Sequence, residues 1–172
     1  MAANLSQQSL RHRLEREPES ISIVSLAAEQ RYWDGLEALL AGRLAAAVYF
    51  FGLSVEIHLK VAAAKVDGLP PTTDLRAWLN TTKQLMNVAP SVVPEGFHSI
   101  LYWSEYIQRR RSVQSKPLPQ DTAEKLRRHT MAVYATWWNE MRYHPEQVSA
   151  NEAKMVYRAA SWARARIADL WS

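Results

Sequence analysis

Residues 43–66 read RLAAAVYFFGLSVEIHLKVAAAKV, and the fold class turns on them. The stretch lacks the apolar/polar alternation of a half-buried strand, and it is far longer than a typical strand. Tyr49, Leu53, Glu56 and Lys60 instead follow one line at helical spacing. Asp67-Gly68 and then Pro70-Pro71 supply the stop, since glycine adopts the left-handed turn that ends a helix and proline cannot continue one. Ser54, Glu56 and His58 interrupt the apolar run over residues 44–59, so it is not an uninterrupted stretch long enough to span a bilayer.

Outward from that helix the period stays helical. On the N-terminal side a helix is expected to start after Ser25, with Leu26, Tyr32, Trp33, Leu36, Leu39 and Leu40 as its apolar stripe and Gly42 as its break. Residues 1–18 form a polar tail closed by Pro18. On the C-terminal side Thr72, Thr73 or Asp74 can cap a helix carrying Leu75, Trp78, Leu79 and Leu85, because their oxygens accept from unpaired first-turn amides. Pro90 and Pro94 end that section. A further helix spans about residues 95–111, a linker holds Pro117 and Pro119, and a fifth helix runs from about 121 to 143 before Pro145. Ser149 and Glu152 form a capping box opening a last helix to about residue 170. The expected architecture is an all-α, up-and-down bundle of five to six helices, one domain over residues 19–172.

Composition narrows the function classes. With no cysteine, disulfide scaffolds, thiol catalysis and thiolate-bound zinc are excluded, and a cytoplasmic location is expected. Residues 1–19 carry no apolar segment of the secretory kind. The five glycines form no phosphate-binding fingerprint, no serine elbow occurs, and no His or acidic pair has a zinc spacing. No cofactor and no metal are expected. The net charge of +4 sits wholly in residues 91–172, which hold twelve Lys/Arg against eight Asp/Glu. Arg109, Arg110 and Arg111 form one run, Lys125, Arg127 and Arg128 a second, and Arg158, Arg164 and Arg166 a third. Such runs attract phosphates, or they simply solvate helix ends and complement the macrodipole.

The motif order resembles the HEPN family. In that signature an aromatic-rich turn precedes a Glu and a Lys four residues apart, here Tyr49-Phe50-Phe51 before Glu56 and Lys60. After a short Gly/Pro loop comes a polar residue, Asp and Leu, here Thr73-Asp74-Leu75. Many members place Arg-Tyr before the last helix, as Arg142-Tyr143 stands here before His144-Pro145. The resemblance covers roughly residues 26–87 and 135–171, with residues 89–130 as an enlarged connection. It implies a helical bundle pairing into a homodimer, and either a metal-independent ribonuclease or a non-catalytic form beside a nucleotidyltransferase partner. The nuclease form carries Arg, four to six residues, then His. None of His12, His58, His98, His129 and His144 has an Arg at that distance.

The expected role is therefore a non-catalytic module that binds a nucleotide or RNA, or partners a nucleotidyltransferase, with Glu56, Lys60, Arg142, Tyr143 and His144 as ligand-binding residues. Glu56 and Lys60 as an i,i+4 ion pair fit a structural network equally well. Arg142 is the expected partner of Glu56, since a planar guanidinium can hold a carboxylate bidentately. A divergent endoribonuclease using Arg142 and His144 is one alternative, and a helical dimerisation scaffold is another. His58, alone among apolar residues, reads as a packed histidine. Trp137 and Trp138 point about 100° apart on a helix and cannot both face one core, so one should meet another surface.

Overall fold

The computed structural model describes residues 19–86, 98–137, 141 and 147–172, with residues 83–86 described by their backbone alone. These residues form six α-helices: α1 (Ile21–Leu40), α2 (Leu44–Val66), α3 (Leu75–Met86), α4 (Ile100–Val113), α5 (Gln120–Tyr134) and α6 (Ala150–Arg166). A short 3-10 turn (Ile167–Leu170) follows. Among the described residues there is no strand, so the all-α expectation holds.

The helix α2 is the axis of the molecule. It packs on α4 and α6, and α5 in turn touches both of those, so α2, α4, α5 and α6 close a four-helix ring. Helix α1 lies outside the ring, against α2 and α6. The turn between α1 and α2 is only three residues long, which makes them antiparallel neighbours. Gly42 takes φ 73° there, a conformation that a Cβ disfavours. By length and composition alone α2 could cross a bilayer, with mean hydropathy 1.5, yet 61% of that window is buried inside the bundle. Its polar members are satisfied largely within the fold: Ser54 Oγ donates to Ala28 O at 2.9 Å and ties α2 to α1.

Three expectations change. Helix α1 starts at Ile21, capped by Ser20, and its amides Ile21 N and Ser22 N donate to Thr73 O and Pro71 O. Its buried face is Ile21, Ala28, Tyr32, Gly35 and Ala38, whereas Leu26, Trp33 and Leu40 of the expected stripe are exposed. The small residues win because α1 and α2 lie close: a Cβ on Gly35 would stand 2.7 Å from the Phe51 ring. Helix α4 starts at Ile100, later than expected, where Ser99 Oγ accepts from Tyr102 N. Helix α5 ends at Tyr134 rather than near residue 143, because Trp137 leaves the helical path. Its indole packs on Gly52, where a Cβ would overlap the ring, and its Nε1 donates to Tyr49 O at 3.1 Å.

Other readings stand as expected. Asp74 Oδ1 caps α3 by accepting from Arg76 N and Ala77 N. The Ser149–Glu152 capping box is complete in both directions. Leu85, Pro90, Pro94, Trp138 and Pro145 lie outside the described residues or side chains. The core has two aromatic centres: Trp78, Trp103, Tyr102 and Tyr106 between α3 and α4, and Tyr32, Phe51 and Tyr157 among α1, α2 and α6. Phe51 and Trp103 are fully buried, each contributing about 2–3 kcal/mol through loss of apolar surface to water.

Candidate ligand-binding site

Glu56 and Lys60 sit one turn apart at the middle of α2, both inside the protein. Lys60 Nζ donates to Glu56 Oε1. The same oxygen lies 3.1 Å from His98 Nδ1, and a carboxylate only accepts, so Nδ1 carries the proton. Glu56 is 3% exposed, and its second oxygen, Oε2, is buried with no hydrogen-bond partner among the described residues. A bare buried carboxylate oxygen costs about 1–3 kcal/mol or more, so its retention is a feature to explain. The His98 side chain keeps 58% of its surface and is the outer edge of this centre. Its hydrogen bond to Glu56 raises its pKa, against burial and the charge of Lys60, which lower it.

Of the residues expected at the site, Glu56 and Lys60 are together, while Arg142, Tyr143 and His144 lie outside the described residues. His98 is a member that the sequence did not reveal. It stands 42 residues from Glu56 in the connection the family pattern does not cover, and no spacing rule links it to a helical carboxylate.

A second polar group lies on another side of α2. His58 is 2% exposed, and its Nε2 is 3.7 Å from Glu29 Oε1 with no hydrogen bond of its own. Arg164 Nε donates to Glu29 Oε2 at 2.7 Å while its guanidinium lies over Tyr32 and Trp33, 5.0 and 5.1 Å from the ring centroids. Burial lowers the His58 pKa to about 4, only partly offset by Glu29, so the ring is neutral at pH 7. This is the packed histidine expected of that position.

At the end of α2, Asp67 accepts from Trp78 Nε1 (3.1 Å), Tyr106 Oη (2.6 Å) and Arg110 Nε (2.7 Å). Burial, then the hydrogen bond to Asp67, raises the Tyr106 pKa and keeps the phenol a donor. With both oxygens used, Asp67 is a clasp joining α2 to α3 and α4. Among the described residues no three His, Asp or Glu groups converge as a metal site.

The basic runs divide. Arg109 pairs with Glu105, Arg110 with Asp67, and the buried Arg111 donates to Ser172 O. Arg164 and Arg166 pair with Glu29 and Asp169. Lys125 pairs with Asp121, but Arg127, Arg128, Lys154 and Arg158 have no acidic partner among the described residues. Part of the second and third runs thus meets on one side, between α5 and α6, and the first run serves the fold.

Chemically, Glu56 Oε1 accepts from two nitrogen donors, Lys60 and His98, whereas Oε2 has no partner among the described residues and sits in a dry setting, where a hydrogen bond is strong. Compared with known proteins, the chain matches no family model, and no curated protein or solved structure is significantly similar to it.

Proposed function

We propose that the protein is a non-catalytic, HEPN-like helical module that binds a nucleotide or RNA, with Glu56, Lys60 and His98 as its recognition centre. The observation that supports this is the buried Glu56 Oε2, which has no hydrogen-bond partner among the described residues and lies beside a half-exposed histidine. A nucleobase presents amide or exocyclic N–H groups on its Watson–Crick edge, and a buried carboxylate is a suitable acceptor for them. Arg142, Tyr143 and His144 complete the site in this proposal, on the strength of the family resemblance.

A homodimer belongs to the same proposal. Ile23, Leu26, Trp33 and Leu40 lie on the outer side of α1 at spacings of three and seven residues, and all four are exposed. Gln30 and Glu37 are exposed on the same side between them. A two-fold axis lets one such stripe serve both protomers.

The test is thermal-shift and calorimetric titration with the four ribonucleoside triphosphates and short RNAs, with RNA incubated in chelator in parallel. The expected result is saturable stabilisation by at least one base, lost in Glu56→Gln and weakened in His98→Ala, with the RNA intact. Circular dichroism checks that both variants fold. RNA cleavage in chelator that disappears in Arg142→Ala makes the protein a nuclease instead. Neither binding nor cleavage moves the role to a protein partner, such as a nucleotidyltransferase.

A further inference from the structure

The outer groove between α5 and α6 has a composition that neither the bundle nor the Glu56 centre uses. It encloses about 660 Å³. Arg128 and Ala132 line it from α5, and Asn151, Lys154, Met155 and Arg158 from α6. No Asp or Glu lines it among the described residues, and its three cations have no acidic partner there. Its apolar floor is open: Met155 is 38% exposed, and Met131, 48% exposed, lines the adjoining hollow with Lys125, Arg127 and Arg128 and with the acidic Asp121 and Glu124. Between the helices His129 stacks on Trp162, centroids 4.8 Å apart. Burial and then the charges of Arg128 and Lys125 lower the His129 pKa, so the positive field of this face is felt by its own histidine.

From this we propose that the α5–α6 groove is a docking site for an acidic amphipathic helix of a partner protein. The walls are helical ridges, with Arg128 and Ala132 at i, i+4 and Asn151, Lys154, Met155 and Arg158 at i, i+3, i+4 and i+7. A third helix seats in such a furrow by placing its own i, i+3, i+4 side chains between them. Within the bundle, α1 already packs against two other helices, α2 and α6. Exposed methionines suit an apolar face because their flexible thioethers adapt to varied side chains. The unpaired cations on both rims ask for carboxylates on the flanks of the incoming helix. The chain's own residues 1–18 carry Arg11, Arg13 and Arg16 against Glu15 and Glu17, the wrong sign for this groove. A nucleic-acid backbone would use the cations and leave the methionine floor idle, and so fits less of the surface.

The experiment is fluorescence anisotropy on the full chain with a labelled synthetic helix of about 18 residues, five turns long. It carries Leu at i, i+3, i+4 and i+7 and Glu on both flanks. Expected is saturable binding that weakens at least tenfold from about 50 to about 300 mM salt. Arg128→Glu with Arg158→Glu should weaken it at least tenfold, Met155→Asp about fivefold, and Arg76→Ala, at an exposed site on α3, not at all. These groove positions are exposed or half-exposed, and circular dichroism with the milder Arg158→Ala keeps folding separate from binding. Equal binding of a polyglutamate of the same charge overturns the proposal, as does absence of binding or insensitivity to the groove variants. Tighter binding of a single-stranded RNA, lost in the same variants, overturns it in favour of a nucleic-acid track. Self-association abolished by Arg128→Glu with Arg158→Glu overturns it in favour of a second copy. Because Glu56 is separate from the groove, failure here leaves the nucleotide test intact, and the converse holds.

Discussion

His58 is the residue whose surroundings have the clearest consequence in solution. Buried beside Glu29 and Arg164, its ring takes a proton only near pH 4, whereas in the unfolded chain it does so near the ordinary value of about 6.5. Between those two pH values the unfolded state binds more protons, so stability falls as pH falls and is fully present above about 6.5. Going from about pH 7 to about pH 5 should remove on the order of 2 kcal/mol through this group alone. Urea unfolding of wild type and His58→Gln at both pH values checks it: the variant should lose clearly less than wild type over the interval. Equal losses would place the acid sensitivity elsewhere. His129 acts in the same direction, since its pKa is also lowered. His98 acts in the opposite one: its raised pKa gives stability that is present below about 6.5 and is lost as pH rises through the folded value. The sequence showed His58 between Ile57 and Leu59 on a largely apolar helix. It did not show that Glu29 and Arg164 come from α1 and α6 to flank it.

At the scale of elements, the contact between α2 and the end of α5 is set by a missing side chain. Gly52 lies on α2 with the Trp137 indole against its Cα, and a Cβ built there overlaps the ring. Gly52→Ala must therefore displace Trp137, break its hydrogen bond to Tyr49 O and disturb the ring of helices at one edge. Overpacking of this kind costs about 1–3 kcal/mol, and the upper end is expected because the lost hydrogen bond adds to it. For a chain of this size that lowers the melting temperature by roughly 6–12 °C. Calorimetry of Gly52→Ala against Gly42→Ala separates this packing cost from backbone strain, since Gly42 has φ 73° and open space around it. A shift for Gly52→Ala under about 2 °C would mean that Trp137 repacks freely. Several elements were readable beforehand for local reasons. The Ser149 cap, the Asp74 cap and the Asp67-Gly68 stop are contacts within a few residues along the chain. The early end of α5 was not readable, because the helical pattern continues past Tyr134 and only Gly52 and Tyr49, far away in sequence, draw Trp137 aside.

At the scale of the whole molecule, charge and apolar surface are distributed unevenly. The outer side of α1 carries four exposed apolar side chains among polar ones, the α5–α6 groove is cationic, and the polar centres on α2 are inside. The proposed dimer uses the first of these. Equilibrium sedimentation should give twice the chain mass for wild type, and a monomer for Leu26→Glu with Leu40→Glu. Both positions are exposed, so the variants should keep their helical circular dichroism and their melting temperature, apart from the concentration dependence that a dimer confers. A monomeric wild type at micromolar concentration would rule the α1 interface out.

Taken alone, the sequence determined what depends on neighbours along the chain. It established that the protein is helical, where most helices stop and start, and that Glu56 and Lys60 lie on one line of α2. Period, caps and prolines act over a few residues, so those features are local physics. The tertiary structure decided which faces are used. Small residues rather than leucines bury α1, because the approach to α2 leaves no room for longer side chains. His98 joins Glu56 across 42 residues, and Arg128 meets Arg158 at one groove while Arg110 and Arg164 are spent on Asp67 and Glu29. Partner choice of that kind is a matter of distance after packing. A charge has the same letter whether it closes a clasp in the core or stands free at the rim of a groove.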